Sequence, residues 1–157
     1  SQGTQDYISS EGLSSSSSKL IKAGTLITPT RMALGYAVFF EVDVAINQDL
    51  KALYPASQLN KYFLFYWFQL HKEAIRRLGS GSTVAGIQLA ELKSLRMTLP
   101  TIMEQIKIIN VLQAVDSELK FLKSKSSQLK YQKKYLLKNL ITGTIRTSEH
   151  LTPKGWS

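Results

Sequence analysis

Few residues of this 157-residue chain could carry out catalysis. The chain has no cysteine, which excludes a thiol nucleophile, a disulfide framework, an iron–sulfur cluster and a zinc site with Cys ligands. Only His71 and His150 could supply imidazole, so one chain cannot build a metal site from several histidines. The serines lack a histidine at a plausible distance with an orienting acid, so a hydrolase triad is unsupported. We therefore expect no catalytic residue, no metal and no other cofactor.

Two short segments match half of a metal-dependent nuclease motif. Both Glu91-Leu92-Lys93 and Glu118-Leu119-Lys120 have the Glu-x-Lys pattern, and Asp43 and Asp49 lie upstream of them. Chance matches to so short a pattern are frequent, and the leucine of the second segment also belongs to the heptad pattern described below. A magnesium-dependent nuclease is thus the weaker hypothesis, and the residues favour a binding protein.

The net charge favours a polyanionic partner. The chain has 20 Lys+Arg against 11 Asp+Glu, a formal charge of +9. Residues 1–100 contribute 10 − 7 = +3, whereas residues 101–147 contribute 9 − 3 = +6. The lysines of the second part fit either attraction to nucleic acid phosphates or the solvated face of a lysine-rich helix. They are Lys120, Lys123, Lys125, Lys130, Lys134 and Lys138.

No feature of the sequence points to a membrane. The longest apolar run, residues 62–68, is far shorter than the ~18 residues that a membrane-spanning helix needs. No signal-peptide pattern opens the chain. We expect a soluble protein of a reducing compartment, located in the cytoplasm.

Both β-strands and α-helices are predicted to position the binding residues. Short β-type runs broken by Gly24, Pro29 and Gly35 predict a small mixed sheet over residues 19–54, with the loop Pro29-Thr30-Arg31 between two strands. Residues 57–78 then predict a helix, with Ser57 as N-cap and Gly79 as its stop. The predicted class is α+β: a small mixed sheet with a packed helix, followed by one long coiled-coil helix.

The helix over residues 57–78 is apolar nearly all round in its middle, which implies burial on more than one side. Its predicted buried stripe has helical spacing. The stripe consists of Leu59, Phe63, Tyr66, Leu70, Ala74 and Leu78. We expect the aromatic residues of this helix to form core rather than a platform for stacked bases.

A second helix of about 40 residues, roughly 60 Å long, is predicted after Pro100. Thr101-Ile102-Met103-Glu104 is a capping box, and neither Gly nor Pro occurs again until Gly143. Ten positions along this helix follow alternating spacings of four and three, the pattern of a coiled coil. This seam consists of Ile108, Leu112, Val115, Leu119, Leu122, Ser126, Leu129, Lys133, Leu136 and Leu140. Its partner could be another part of this chain, a second copy or another protein.

Several segments together resemble a known family. In the first part they are Ala45-Ile46-Asn47-Gln48, Ala52-Leu53-Tyr54-Pro55 and residues 79–87. The second part has residues 89–95, Leu99-Pro100, Glu104-Gln105, Ile108, Leu112, Asp116 and the ending Leu140-Ile141-Thr142-Gly143-Thr144-Ile145-Arg146. Over residues 19–147 the chain is similar to the DNA specificity subunit of bacterial type I restriction-modification systems.

The resemblance implies an organisation and a set of partners. A specificity subunit carries two target recognition domains, each followed by a long helix, and the helices pair antiparallel. We expect residues 1–100 to be one recognition domain that lacks its opening segment, residues 101–142 the spacer helix and residues 143–157 a tail. A half-subunit or fragment of this kind would pair with a second copy and bind double-stranded DNA. It would also bind a modification methyltransferase and, through it, a restriction subunit.

The resemblance and the predicted loops together give the candidate DNA-binding residues. Base contacts are expected from Thr30 and Arg31. They are also expected from a Gly/Ser loop, Gly79-Ser80-Gly81-Ser82-Thr83, through Ser80, Ser82 and Thr83. Phosphate contacts are expected from Lys19, Lys22, Lys72, Arg76 and Arg77. Each group has an alternative without DNA contact. Arg31 could equally be an ordinary surface arginine, and the Gly/Ser loop could simply connect two elements. Arg76 and Arg77 could serve instead to offset the dipole at the C-terminus of the helix. The rival function is a coiled-coil assembly protein that never reads DNA.

Overall fold

The structure is a computed structural model that describes residues 7–79 and 86–147 of the chain. These residues contain five short strands and four helices. The elements are α1 (Ser10–Ser14), β1 (Lys19–Ile21), β2 (Leu26–Pro29), β3 (Val38–Phe39), β4 (Val44–Ile46), β5 (Leu50–Leu53), α2 (Lys61–Leu78), α3 (Leu89–Ser94) and α4 (Ile102–Ile141). The chain divides into two compact units, Ser1–Ile109 and Asn110–Ser157.

The strands form two small antiparallel sheets. β1 pairs with β4, with Lys19 opposite Ile46, and β2 lies between β3 and β5. The α+β class is confirmed, although the described strands form two antiparallel sheets where the sequence predicted one mixed sheet. No connection between consecutive strands exceeds eight residues. Connections this short leave no room for the crossover that joins neighbouring parallel strands.

A small apolar core joins the two sheets. Val44 and Ile46 of β4 alternate with the half-buried Ala45, and they pack with Ile21 of β1 and with Ile27 of β2. Alternation along a strand places residues i and i+2 on one face, which is the face turned to the other sheet. A second core cluster lies beneath α2 and includes Leu34, Phe68 and Ile75.

Helix α2 corrects two predictions. It begins at Lys61 rather than after Ser57, because the Asn60 side chain accepts a hydrogen bond from the Tyr62 N–H at 2.9 Å. Its buried face carries Leu64, Phe68 and Ile75, whereas Leu70 of the predicted stripe is 80% exposed. With apolar residues nearly all round the helix, periodicity could not select the face that packs.

Helix α4 agrees closely with its prediction. It runs over 40 residues, and the Glu104 N–H donates to the Thr101 hydroxyl at 3.3 Å, as the capping box predicted. The Glu104 carboxylate lies 3.5 Å from the same hydroxyl. The seam residues of Asn110–Ser157 are solvent-exposed apart from Leu112, which is half-buried, and Leu129 is 55% exposed.

The fully buried side chain of Gln105 joins the first turn of α4 to the segment before α2. Its Oε1 accepts from the Asn60 N–H at 2.8 Å, and its Nε2 donates to the carbonyls of Gln58 at 2.8 Å and Pro100 at 2.9 Å. A primary amide supplies both an acceptor and two donors at one position, which neither an acid nor an apolar side chain does. This geometry explains a glutamine where the helix pattern alone would place an apolar residue.

Replacing Gln105 with alanine should destabilise the unit Ser1–Ile109. The substitution removes the fully buried side chain and leaves one part-buried N–H and two carbonyls without this partner, which costs about 2–4 kcal/mol. Gln113→Ala, at an exposed position of the same helix, should change stability by less than about 0.5 kcal/mol. Urea unfolding followed by circular dichroism measures both, and equal midpoints for the two variants would contradict the role assigned to Gln105.

Candidate nucleic-acid interface

The loop between β2 and β3 is fixed at its N-terminal end by Thr30. The Thr30 N–H and hydroxyl both donate to the carbonyl of Asp49, at 2.7 Å and 3.0 Å. The side chain is only 7% exposed. Thr30 therefore lies buried where the loop leaves β2. This burial favours a role in positioning the loop over direct contact with a DNA base.

The C-terminal end of the same loop is fixed by Leu34 and Gly35. Leu34 is 6% exposed and packs in the cluster with Phe68 and Ile75. Gly35 has φ +80°, and a Cβ added there would lie 2.8 Å from the Lys72 Cα. The loop thus rests on the backbone of α2, and residues 31–33 are exposed between two fixed ends.

Arg31 lies on the exposed part of this loop, next to a carboxylate. Its Nε is 3.5 Å from Asp49 Oδ1, and its side chain is 53% exposed. The Asp49 N–H donates to Asn47 Oδ1 at 3.1 Å, which fixes the turn that carries the acid. An exposed ion pair of this length restrains the guanidinium without withdrawing it from solvent.

Met32 is an unusual neighbour for Arg31. It has φ +59°, in the left-handed region that non-glycine residues rarely adopt, and it is 97% exposed. Such a conformation costs on the order of 1–3 kcal/mol and persists only where the surrounding structure imposes it. Sequence patterns gave no signal for Met32 or for the Arg31–Asp49 pair, because both depend on the anchoring of the loop at its two ends.

The segments on either side of residues 80–85 converge on this loop. The Gly86 N–H donates to the Gly79 carbonyl at 3.2 Å, and the Ile87 N–H donates to the Thr30 carbonyl at 2.9 Å. A Cβ added at Gly86 would lie 3.1 Å from the Arg31 Cγ. The predicted base-contacting residues Ser80, Ser82 and Thr83 lie outside the described residues, but both ends of their segment adjoin the Thr30–Arg31 loop.

The predicted phosphate-contacting residues are more dispersed. Lys72 lies beside the loop, with its Nζ 3.8 Å from the ring centre of Tyr36 in a cation–π contact. Lys19 is exposed at the start of β1, on the other sheet. Arg76 and Arg77 occupy the last turn of α2, where Arg76 Nε pairs with Glu73 Oε2 at 2.9 Å.

Lys22 already has a partner within the fold. Its Nζ lies 2.8 Å from Asp43 Oδ2, and the hydrogen bond raises the lysine pKa. The same bond, together with the Ala23 N–H, holds the pKa of the Asp43 carboxyl below its usual value. A phosphate would have to compete with this carboxylate for the ammonium group.

The acidic residues of the nuclease hypothesis serve the fold. Asp43 pairs with Lys22 and Asp49 with Arg31, and the Gln88 N–H donates to Glu91 Oε2 at 2.8 Å at the start of α3. Among the residues that the structure describes, no group of three or more acidic, histidine or cysteine side chains could hold a metal ion. No helix in the described ranges has both the length and the apolar character needed to cross a bilayer.

Comparison with known proteins identifies the class. The family model of the type I restriction modification DNA specificity domain matches residues 1–131, most of the chain. The chain belongs to this family, which confirms the resemblance seen in the sequence.

Curated relatives agree with this assignment. The chain is 30% identical over 129 residues to the putative type I restriction enzyme MjaX specificity subunit of Methanocaldococcus jannaschii, covering 82% of this chain and 30% of that protein. It is 28% identical over 120 residues to the EcoR124I/EcoR124II specificity subunit of Escherichia coli, covering 73% of this chain and again 30% of the relative. The chain thus spans about a third of the length of these curated relatives.

Two solved structures share the fold. The HsdS subunit of Thermoanaerobacter tengcongensis superposes with a TM-score of 0.60 at 20% identity, covering 80% of this chain and 31% of that one. A chain from the structure on complex assembly and conformational transition of the type I R-M system gives 0.64 at 23% identity, covering 78% of this chain and 30% of the other. The combination of small sheets, packed helix and long helix is therefore a known architecture.

Gly35→Ala should destabilise the loop and the unit that contains it. The new Cβ meets the Lys72 backbone and also requires a left-handed conformation, at a combined cost of about 2–4 kcal/mol. Gly24→Ala is the matched control, because Gly24 has φ +73° but only the Lys61 Nζ near its added Cβ, at 3.5 Å. It should lose about 1 kcal/mol. Thermal unfolding of both variants tests the contact, and equal losses would argue against it.

Proposed function

We propose that this chain is a non-catalytic DNA-recognition component of a type I restriction-modification complex that reads one half of a bipartite site. The observation that carries the proposal is the convergence of the anchored Thr30–Arg31 loop with both ends of the segment that contains residues 80–85. Family membership supports the same function, since the family is defined by a DNA specificity domain.

Reading begins with contacts to the DNA backbone and ends at the base edges. Lysine and arginine contacts to phosphates fix the register without conveying sequence, and side chains in a groove then distinguish the bases. Arg31 suits the second task, because a guanidinium makes bidentate hydrogen bonds to the O6 and N7 of guanine. Thr30 and Asp49 position the loop and the side chain, and Ser80, Ser82 and Thr83 remain proposed contacts on the neighbouring segment.

The proposal assigns separate tasks to the parts of the chain. Residues 1–100 act as a recognition domain, residues 101–142 as the spacer and pairing helix, and residues 143–157 as a tail. The partners are double-stranded DNA, a modification methyltransferase and, through it, a restriction subunit. The site of action is the cytoplasm, where these partners and the DNA meet.

The exposed seam of α4 supports pairing with a second copy of the chain. Eight of its ten residues are Leu, Ile or Val, and burying their side chains would contribute on the order of 10–20 kcal/mol as an upper estimate. In the described part of Asn110–Ser157, α4 is the only helix or strand, so the described residues of this unit include no second element that could cover its seam.

Charge and core composition favour an antiparallel pair. Residues 101–119 carry 1 − 3 = −2, whereas residues 120–141 carry seven lysines and no acid, +7. A parallel pair in register would place the +7 halves together and Lys133 against Lys133 in the core. An antiparallel pair instead places Val115 opposite Lys133 of the second copy and Leu119 opposite Leu129. The acidic segment 101–119 then lies beside residues 129–141 of the second copy, which carry four of the seven lysines.

Arg31→Ala should relax sequence preference in a competition assay between target and unrelated duplexes. Loss of a bidentate contact to guanine costs about 1–3 kcal/mol of discrimination. Arg31→Lys is the sharper comparison, because it keeps the charge but loses the bidentate fork. It should retain affinity for unrelated DNA and still lose preference. A uniform affinity loss with unchanged preference in either variant would overturn the base-reading role.

Leu119→Asp combined with Leu122→Asp should convert a dimer to a monomer in analytical ultracentrifugation. Two buried carboxylates per helix cannot be solvated within an apolar seam. Ser117→Asp with Ser124→Asp adds the same charge at exposed positions outside the seam and should leave the dimer intact. An unchanged mass for the leucine variant would show that the seam does not carry the association.

A further inference from the structure

Helix α4 carries a second row of residues with the same spacing as the seam. Lys120, Lys123, Ser127, Lys130 and Lys134 follow one another at intervals of three, four, three and four residues. With seam residues assigned to heptad positions a and d, these five occupy positions b and e, on one side of the seam. We call the four lysines of this set the lysine row.

The lysine row is exposed, and Asp116, four positions before Lys120, is the only acidic residue at helical spacing from any of its members. Each member is solvent-exposed, and no Asp or Glu occurs between Glu118 and Glu149. Among the described residues, no ion pair involves Lys123, Lys130 or Lys134. Soluble helices usually relieve such repulsion with acidic residues three or four positions away, and Lys123, Lys130 and Lys134 have none. Their uncompensated charge favours a polyanionic partner that supplies the neutralising charge.

The composition of the row distinguishes nucleic acid from a protein partner. Protein interfaces are depleted in lysine and have apolar or aromatic centres. Between Lys120 and Lys134 the b and e positions hold only lysine and serine. The row is also long and narrow, about 21 Å from end to end at ~1.5 Å per residue. A line of flexible point charges matches the phosphate backbone of a duplex.

Pairing of two copies would double the row on one face. In an antiparallel coiled coil the e positions of both helices lie on the same side of the seam, and the g positions lie on the other. The two lysine rows, eight lysines in total, would then share one face. The opposite face would carry the c and g residues Phe121, Lys125, Gln128, Gln132 and Tyr135.

We infer that the lysine row of α4 binds the phosphate backbone of duplex DNA, independently of sequence, while the Thr30–Arg31 loop and the segment with residues 80–85 read the bases. This inference rests on the proposed function, because it takes the chain to be a DNA binder paired through α4. It adds a second contact surface, on the spacer helix. The chain would then hold DNA along the helix as well as at the loops.

The test is the salt dependence of DNA binding by Lys120→Gln with Lys134→Gln. Both residues are at b positions, clear of the seam, so the dimer should persist by ultracentrifugation. Each phosphate contact contributes about 0.9 to the slope of log K against log salt concentration. A dimer that loses four lysines should therefore show a slope shallower by about 3 to 4, with equal affinity losses on target and unrelated duplexes.

The matched control is Lys125→Gln with Gln128→Glu, which changes the net charge by the same amount on the opposite face. The control should keep the wild-type slope, and Lys120→Arg with Lys134→Arg should also keep it. An unchanged slope in the row variant, or an equal change in the control, would overturn the inference. So would loss of methyltransferase binding with unaltered DNA binding, which would make the row a protein-docking surface.

Failure of the inference is distinguishable from failure of the proposed function. A wild-type chain that binds target DNA with preference, while the row variant keeps its slope, rejects only the role of α4. A wild-type chain with no salt-dependent affinity for any duplex rejects DNA recognition as a whole.

Discussion

The exposed apolar seam of α4 is the constraint on which the rest of the protein depends. A 40-residue helix presents Leu, Ile and Val at coiled-coil spacing, and within Asn110–Ser157 the described residues form no further helix or strand. Apolar surface of that extent strongly favours association. Under the proposed function, a second copy of the chain covers this seam, so the burial of apolar surface drives the pairing.

The unit Ser1–Ile109 meets a different constraint, which is to hold an exposed loop in a fixed geometry. Thr30 is bonded to the Asp49 carbonyl, Leu34 is buried in the core and Gly35 lies against the backbone of α2. Between these anchors, Arg31 and Met32 are exposed, and the exposed stretch is only three residues long. Under the proposed function, few residues need to carry specificity, because the surrounding framework fixes the loop that presents them.

The sequence predicted the periodic features well and the long-range contacts poorly. The seam, the capping box at Thr101 and the extent of α4 follow from spacing and local hydrogen bonds, which are visible in a single stretch of chain. The prediction of which face of α2 packs was wrong, because apolar residues surround the helix and only tertiary contacts select the face with Phe68 and Ile75. The network of Gln105 and the left-handed Met32 were missed for the same reason, since each depends on residues distant in sequence.

The central claim is that two copies pair antiparallel through α4, and a distance measurement tests it directly. The chain has no cysteine, so a single spin label can be placed at Asn110→Cys or at Ser124→Cys, both exposed and outside the seam. An antiparallel pair centred between Leu122 and Ser126 places the two Asn110 labels about 28 residues apart along the axis, roughly 42 Å. The two Ser124 labels lie at the same level, separated only by the width of a helix pair whose axes are about 10 Å apart. Pulsed dipolar spectroscopy should therefore give a long distance for the first variant and a short one for the second; short distances for both, or no dipolar coupling in either, would contradict the account.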